Sequence, residues 1–468
     1  MFPQIARESR AVFSQLLFLF VILTLSGATI GRAQKLNESI VYSFTNAPDG
    51  NYPVGGVIRG KDGSLYGTTS YGGTNGAGML YQINRNGSGY RALRSFDAAG
   101  GSSPSGLIQG TNGLLYGTAT VNGSNGVGAI FTINTNGTGY AQLHAFAHVD
   151  GAYPASGLFQ GSNGVLYGVT AQGGISNAGT VFRMNLDGSG FQVLRQFTNS
   201  PDGADPAALV QGSDGTLYGS TVTGGAAGAG VIFRMSTNGN NYTILRSFTN
   251  SPDGADPEAN LIIGKDGFLY GTTVFGGNVY AYGGTLFKLN TNGSGYVILH
   301  HFPTIAGDGS NPDSLMQAAD GSIYGVAANT GAFSGGMVFK LDTNGGYTVV
   351  YGFTNSPPDG RNPVSALVDA GDGALYGTAD NGGVYDHGAV FRLTPPLSLS
   401  FQVTAASGTN TTILSWPAWA SDYAVRASAT LTNTSWTAIG VPVAAGGKLF
   451  ITNKSTAPNA FFRLQTGP

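Results

Sequence analysis

A unit of about fifty residues recurs along the chain and constrains the fold more than any other feature. It is marked by the tyrosine of a Leu-Tyr-Gly motif, or its equivalent, at Tyr66, Tyr116, Tyr167, Tyr218, Tyr270, Tyr324 and Tyr376. The successive spacings are 50, 51, 51, 52, 54 and 52 residues. Tandem units of ~40–50 residues are typical of β-propellers. The period therefore predicts an array of similar sheets rather than one unique core.

Each unit divides into four predicted strands. In the fourth unit, the apolar and β-branched segments cover residues 208–211, 217–221, 231–235 and 242–248. Asp-Gly and Asn-Gly turns join the first segment to the second and the third to the fourth, as in β-hairpins. The second-to-third connection is longer and rich in glycine. Four antiparallel strands of this kind make one propeller blade.

The first copy of the unit is incomplete. Fourth-strand segments end at Phe44, Phe96, Phe146, Phe197, Phe248, Phe302 and Phe353, but almost nothing precedes the first of them. The last unit, residues 365–393, has no fourth strand after it. We therefore expect the N-terminal strand to complete the last sheet, because a closed ring leaves no open sheet edge. The predicted fold is all-β: a seven-bladed β-propeller closed by an N-terminal strand, followed by a small β-sandwich.

The composition supports a packed β-protein and excludes several function classes. The 26 Phe and 22 Tyr residues supply a large core. Charged residues make up only 10% and the net charge is −2, which argues against nucleic acid or an anionic membrane as partner. The chain has no cysteine, which excludes disulfides and zinc–thiolate sites.

The N-terminal segment has the pattern of an export signal. Arg7 and Arg10 precede an apolar run over residues 11–25, and small residues around Ala33 suit a signal peptidase. An uncleaved anchor is the alternative, but the run is shorter than the ~20 residues of a spanning helix. We expect residues 1–33 to be removed, with no membrane span left and the protein secreted or at the surface of a bacterial cell.

The repeat resembles a known family once its submotifs are put in order. The pattern DGxLYGTTxxGGxxGxGxVFxxNxNGxGY resembles the GloVer tandem repeat of choice-of-anchor proteins, and it assigns residues 34–396 to the propeller. The resemblance implies export and a surface or extracellular location. It implies no reaction, cofactor or catalytic residue. The sixth unit departs from the pattern with IYGVAANTGAFSGG, which lacks the Gly-Gly pair after the second strand.

The last 72 residues, 397–468, do not follow the period. The segments LSWP and DYAVRAS resemble the second and third strands of fibronectin type III-like sandwiches, and NAFFRL indicates a final strand. The resemblance implies a β-sandwich that serves as a spacer, an adhesion module or a domain recognised in secretion.

Two motifs raise the question of a metal site. Asp202 with Asp205, and Asp253 with Asp256, lie in TNSPDGADP loops and offer oxygen ligands of the kind that calcium prefers. The alternative is turn chemistry, since related loops keep an Asp-Gly turn but replace the second aspartate with Tyr52, Tyr153, Asn311 or Asn362. The five histidines have no metal-ligand spacing. We predict no metal, no cofactor and no catalytic residue.

Aromatic residues in the longer loops are the candidate binding residues. These loops share one face with the connections between units, and their aromatics come from neighbouring units of the ring: Tyr71, Phe275, Tyr280, Tyr282, Phe333 and Tyr385, with His387 beside them. Flat rings with nearby Asn and Asp suit sugars. The alternative is that each ring packs on its own glycine-rich loop.

These observations predict a non-catalytic binding protein. The expected partner is a carbohydrate or a surface protein, bound on the longer-loop face by a monomer. Two alternatives stay open: an enzyme that acts on polysaccharide, which two carboxylates facing each other across the channel would favour, and a structural or adhesion component of the cell surface.

Overall fold

The computed structural model describes residues 36–154, 157–277, 283–305, 307–330, 334–397, 399–406, 409–420, 423–428, 436–455 and 461–466. Across these residues the regular structure is β-strand apart from one 3-10 turn at Ala418–Ala420. The chain divides into a large compact unit, Ala33–Ala370 with Ala374–Pro395, and a small unit that contains Pro396–Pro468. The predicted export signal lies outside the described residues. No described helix is long and apolar enough to cross a membrane.

The large unit is built from antiparallel sheets that follow the repeat, numbered here sheet 1 to sheet 7 in chain order. A first strand, β1 (Asn37–Ser43), precedes sheet 1. Sheets 1 to 3 contain β2 (Val57–Arg59), β3 (Leu65–Thr69), β4 (Met79–Ile83), β5 (Arg91–Ser95); β6 (Ser102–Gln109), β7 (Leu115–Val121), β8 (Ala129–Ile133), β9 (Ala141–Ala145); and β10 (Phe159–Gln160), β11 (Leu166–Thr170), β12 (Thr180–Met184), β13 (Gln192–Gln196).

Sheets 4 to 7 continue the same order. They contain β14 (Ala204–Gln211), β15 (Leu217–Thr223), β16 (Val231–Met235), β17 (Thr243–Ser247); β18 (Ile262–Ile263), β19 (Phe268–Thr273), β20 (Thr285–Asn290), β21 (Val297–His301); β22 (Gly309–Gln317), β23 (Ile323–Thr330), β24 (Ser334–Leu341), β25 (Tyr347–Thr354); and β26 (Gly360–Pro363), β27 (Val368–Asp369), β28 (Leu375–Gly382), β29 (Ala389–Thr394). Sheets 1 to 6 are four-stranded, and in sheet 7 both β26 and β27 pair with β28, so together they take the place of one first strand. These antiparallel sheets resemble propeller blades.

The repeat motif forms the middle of each sheet because both faces of its strands are covered. Leu217, Tyr218 and Phe233 of sheet 4 are buried. The glycine of Leu-Tyr-Gly lies under the third-strand phenylalanine: a Cβ atom built on Gly271 would come within 2.6 Å of the Phe287 ring. The motif therefore needs glycine at this position, since any side chain there would displace the ring.

The N-terminal strand completes sheet 7. β1 pairs antiparallel with β29, from Asn37 opposite Thr394 to Ser43 opposite Ala389. Phe44, directly after β1, is fully buried and packs edge-on against Tyr81 of sheet 1, with ring centroids 5.2 Å apart. The strand that begins the described chain thus serves as the fourth strand of the last repeat.

Neighbouring sheets of the large unit share two contacts where their first strands begin. The residue before the repeat proline has a left-handed backbone, with φ between 50° and 58°, at Tyr52, Ser103, Tyr153, Asp205, Asp256, Asn311 and Asn362. Its N–H donates to a loop carbonyl of the preceding sheet, as Asp256 does to Ala229 (3.1 Å). The proline that follows packs on a glycine of that sheet: a Cβ on Gly230 would lie 2.6 Å from Pro257 Cδ. Sheets 7 and 1 make both contacts, through Tyr52 N–H to His387 O (3.3 Å) and Pro53 against Gly388.

The small unit consists of two antiparallel sheets. One has β30 (Ser400–Ala406), β31 (Thr409–Pro417), β34 (Val443–Ala445) and β35 (Lys448–Ser455); the other has β32 (Tyr423–Ser428), β33 (Thr437–Ala438) and β36 (Phe461–Thr466). Its core includes Leu414, Trp416, Val425 and Ile451. The indole N–H of Trp416 donates to the Ala420 carbonyl at 3.1 Å, so the ring is buried with its polar atom satisfied. The likeness to fibronectin type III domains stays a prediction.

Candidate functional site

The candidate site lies on the longer-loop face, defined here as the end of the sheets where second strands end, third strands begin and the units are connected. First strands also begin at this end, because the sheets are antiparallel. Side chains at the start of a first strand and at the end of a second strand therefore come together here. The opposite end carries the short hairpin turns, such as the one in which Asp214 Oδ1 accepts the Thr216 N–H at 2.9 Å.

The first aspartate of each TNSPDGADP loop has a structural role. The carboxylate of Asp253 accepts hydrogen bonds from the N–H (3.0 Å) and hydroxyl (2.6 Å) of Thr249 and pairs with Arg246 at 2.5 Å. Asp202 is bound in the same way by Thr198 and Arg195. These donors hold the pKa of both carboxyls below its ordinary value despite their burial. Among the described residues, no group of three or more His, Asp or Glu side chains is arranged to hold a metal ion.

Five other carboxyl groups gather where sheets 4 to 7 reach the longer-loop face: Asp205, Asp256, Glu258, Asp313 and Asp380. Asp205 and Asp313 lie in the first strands β14 and β22, Asp256 and Glu258 lie in the segment that leads to β18, and Asp380 lies near the end of the second strand β28. The ion pairs of the described residues leave all five without a basic partner. The Oδ1 atom of Asp380 is buried and accepts no hydrogen bond.

Burial and mutual repulsion raise the pKa of these carboxyls. Burial, then the charges of Glu258 and Asp380, raises the pKa of Asp313 to about 7. Burial raises the pKa of Asp380 to about 7. Burial, then Glu258 and Asp256, raises the pKa of Asp205 to about 6. Near neutral pH some of these five carboxyls are therefore protonated, and together they offer both hydrogen-bond donors and acceptors.

The predicted aromatic residues that the structure describes are exposed at the same end. Tyr71, Phe275 and Tyr385 expose 54%, 49% and 56% of their surface, so they do not serve mainly as core. Tyr71 contacts the Tyr52 ring edge-on, with centroids 5.8 Å apart. The backbone of Phe275 pairs with Ala255, the residue before Asp256.

The remaining predicted residues divide into two groups. His387 is half-buried, and its backbone carbonyl accepts the Tyr52 N–H, which brings it near Tyr71. The described contacts do not bring Phe275 to Tyr71 or Tyr385. Tyr280, Tyr282 and Phe333 lie outside the described residues.

Sequence reasoning named Asp205 and Asp256 as possible calcium ligands, but it missed Glu258, Asp313 and Asp380 and the grouping of the five carboxyls. The signal in the sequence is a single column of the repeat: the residue after the repeat proline is Val54, Ser105 or Ala207 in three units but Glu258 and Asp313 in two others. An alignment of the units against each other shows this change. It does not show that these acids meet Asp380, which lies in a different column.

A separate cleft of about 320 Å³ opens between sheets 5 and 6 at the hairpin-turn end. The turn after β24 is one residue shorter than the turn after β20. Because it is shorter, the turn after β24 extends less far toward sheet 5. The lining includes Lys265 and Asp342. Lys265 Nζ donates to the Ala319 carbonyl (2.7 Å), and Asp342 accepts the Gly346 N–H (2.8 Å), so both charges already have protein partners.

Solved structures similar to this chain have β-propeller-like folds. The extracellular domain of a putative one-component system from B. thetaiotaomicron matches with a TM-score of 0.51 and 11% identity, over 90% of this chain and 54% of that chain. An oligogalacturonate lyase in complex with manganese matches with a TM-score of 0.48 and 11% identity, over 77% of this chain and 97% of that one. A putative 6-phosphogluconolactonase from Bacteroides uniformis matches with a TM-score of 0.46 and 15% identity, over 75% and 91%.

Sequence comparison identifies the repeat itself. No curated protein matches the sequence. The model of the Gloeobacter/Verrucomicrobia repeat matches residues 30–211 and again residues 197–391, which together span most of the 468 residues. The chain belongs to the Gloeobacter/Verrucomicrobia repeat family.

Proposed function

We propose that this protein is an exported, seven-bladed β-propeller closed by β1, and that it binds carbohydrate on its longer-loop face. Closure is supported by the equivalence of the junctions: sheets 7 and 1 make the same Tyr52–His387 hydrogen bond and Pro53–Gly388 contact that consecutive sheets make. Export is supported by the N-terminal signal pattern. The location proposed is the cell surface or the extracellular space.

The observation that carries the binding proposal is the pairing of carboxyl groups with exposed rings at one end of the sheets. Tyr and Phe rings stack on the apolar faces of sugar rings, whereas carboxyls hydrogen-bond to sugar hydroxyls. Asp256 and Phe275 come from adjacent backbone positions of sheet 5, and Asp380 and Tyr385 flank one loop of sheet 7. A hydroxyl-rich ligand fits both types of group better than a flat apolar ligand, because the carboxyls would be costly to cover without hydrogen bonds.

The test uses a glycan array on the mature protein, followed by calorimetry with the glycans that bind. Tyr385→Ala should weaken binding about tenfold, because a well-used aromatic contact contributes about 0.5–1.5 kcal/mol beyond its buried area. Its melting temperature should change little, since Tyr385 is 56% exposed. The control is Thr223→Ala, at the end of β15 in sheet 4, which should leave affinity unchanged. Equal losses in both variants, or no glycan bound at all, would contradict the proposal.

A polysaccharide-cleaving enzyme is the second candidate, and the raised pKa values favour it. A general acid for glycoside cleavage must hold a proton near neutral pH, and Asp313 and Asp380 meet that condition with pKa values of about 7. The array experiment is therefore paired with an assay of reducing ends released from each bound glycan. Release of reducing ends that Asp313→Asn or Asp380→Asn abolishes would establish catalysis. Binding without such release would favour the carbohydrate-binding proposal instead.

A further inference from the structure

The outer edge of the large unit contains a stacking contact that recurs between consecutive sheets. At six junctions, a residue of one sheet covers an aromatic ring of the next sheet. The covering residue lies two positions before the phenylalanine that ends its fourth strand, and the ring lies six positions before the corresponding phenylalanine of the next sheet. Tyr42 stacks on Tyr90 with centroids 4.3 Å apart, and His144 stacks on Phe191 at 3.6 Å. The other pairs are Arg94 over Tyr140 (3.5 Å), Arg195 over Tyr242 (3.8 Å), Arg246 over Tyr296 (4.2 Å) and His300 on Tyr347 (3.6 Å).

The junction between sheets 6 and 7 departs from this pattern. The covering residue is Tyr351 of β25, and the position six residues before Phe44 is Glu38 of β1. A carboxyl group therefore stands where the six other junctions have a ring. The backbone still joins the sheets there, because the Leu36 N–H donates to the Val350 carbonyl at 3.1 Å.

The groups around Glu38 do not compensate its charge. The Oε1 atom of Glu38 is buried and has no hydrogen-bond partner. From sheet 6 it faces Tyr351, whose hydroxyl donates to Asp359 at 3.2 Å, and the carboxylate of Asp359 itself. Within its own sheet, Arg392 of β29 lies opposite Ser39, and its Nε donates to Ser39 at 3.2 Å; Ser39 points to the opposite side of the strand from Glu38. Among the described residues, no ion pair joins Glu38 or Asp359 to a cation, so two carboxyls share this junction.

We propose that this junction is a pH-sensitive latch: β1 is held firmly against sheet 6 while Glu38 is protonated, and the contact loosens when Glu38 ionises. Burial, followed by the charge of Asp359, raises the pKa of Glu38 from 4.5 to about 8, which places the transition in the range an extracellular protein meets. Release would free the fourth strand of sheet 7 and expose the edge of β29.

The direction of the pH effect follows from the raised pKa. Below pH ~4.5 Glu38 is protonated in both the folded and the unfolded chain, and it adds no pH dependence. Between about pH 4.5 and 8 only the unfolded chain loses the proton, so the unfolding equilibrium constant should rise by up to about tenfold per pH unit. Above pH ~8 both forms are ionised and the Glu38 contribution to this rise ends.

The experiment compares the full mature chain with Glu38→Gln and Glu38→Tyr in urea unfolding between pH 4.5 and 8.5. Glu38→Gln keeps the shape without the ionisation, so the ratio of its unfolding constant to that of the wild type should fall steadily as pH rises to 8. Glu38→Tyr supplies the ring of the other junctions and should shift the urea midpoint upward at every pH, most at high pH.

Hydrogen exchange locates the effect. The protection factors of the β1 amides should fall between pH 6 and 8 in the wild type but not in Glu38→Gln, whereas the equivalent strand of sheet 4, β17, should show no such difference between the proteins. A wild type and Glu38→Gln with parallel pH profiles would overturn the proposal. If the urea profiles differ but β1 and β17 respond alike, Glu38 affects overall stability and the latch is refuted.

Discussion

Equivalent positions of the repeat carry similar residues at the outer edge of the large unit but different residues at its longer-loop face. At the outer edge, six of the seven junctions place a ring under a Tyr, Arg or His side chain, whatever the rest of the repeat contains. At the longer-loop face, equivalent positions carry Val54 in one unit, Ala207 in another and Asp313 in a third. Similar residues are expected where every sheet packs against its neighbour in the same way. Different residues are expected where one ligand contacts several sheets.

The single irregular junction at the outer edge belongs to β1, the strand that is joined to its sheet through pairing alone rather than through a hairpin. The comparison therefore separates two kinds of exception. The carboxyls of the longer-loop face are grouped on neighbouring sheets, whereas Glu38 replaces one ring in an otherwise uniform series. We propose a binding surface for the first kind and a weakened junction for the second.

At the outer edge, deleting residues 36–45 should cause the largest loss of stability. The deletion removes β1 and the fully buried Phe44, whose burial alone is worth ~1.5–3 kcal/mol, and it exposes the edge of β29. Differential scanning calorimetry should show a melting temperature lower by about ten degrees or more, and the protein should aggregate on heating. The single change Phe44→Ala should give a smaller loss of the same sign. A melting temperature equal to that of the full chain would show that β1 contributes nothing to closure.

The junction between sheets 7 and 1 should tolerate changes no better than an internal one. Gly388 and Gly230 have φ angles of 91° and 89°, and each lies against the proline of the following sheet. Gly388→Ala and Gly230→Ala should each cost about 3 kcal/mol of unfolding free energy, the sum of a left-handed backbone and a clash. Gly215→Ala is the control: its φ is 82° but nothing lies within 4 Å, so about 1–2 kcal/mol is expected. Should Gly388→Ala match the control instead, the ring would be open at this junction.

At the longer-loop face we expect a smaller effect on stability, and a gain instead of a loss. The raised pKa of Asp380, about 7, means that its ionisation destabilises the fold progressively as pH rises from about 4 to 7. Asp380→Asn should therefore stabilise the protein by about 1–2 kcal/mol at pH 8, after allowance for partial exposure, and change little at pH 4. Urea unfolding at the two pH values measures this difference. The exposed Asp187, whose pKa is lowered by hydrogen bonds from Ser189, is the contrast, because Asp187→Asn should not stabilise at either pH. Stabilisation of equal size at pH 4 and pH 8 would rule out relief of a buried charge.

The units, most of their strands and the partner of β1 can be predicted from the amino-acid sequence alone. The third strand of sheet 4 was predicted at residues 231–235 and is observed at Val231–Met235. Such segments are predictable because hydrophobic pattern and Asp-Gly or Asn-Gly turns act over a few residues. The pairing of β1 with β29 followed from a count of incomplete units, since one unpaired strand and one three-stranded sheet can satisfy each other.

The lengths of the first strands and the grouping of residues in the candidate site depend on contacts between distant parts of the chain. The first strand of sheet 4 begins at Ala204 rather than at residue 208, because Ala204 and Pro206 already pair with Thr223 and Thr221 of β15. In sheet 5 the first strand is only Ile262–Ile263, since Asn260 bonds to both backbone groups of Leu315 in sheet 6 instead. Asp205 and Asp380 are 175 residues apart in the sequence, and no local pattern relates them. The pKa of a carboxyl depends on its burial and on charges brought near by folding, and those distances exist only once the sheets have packed.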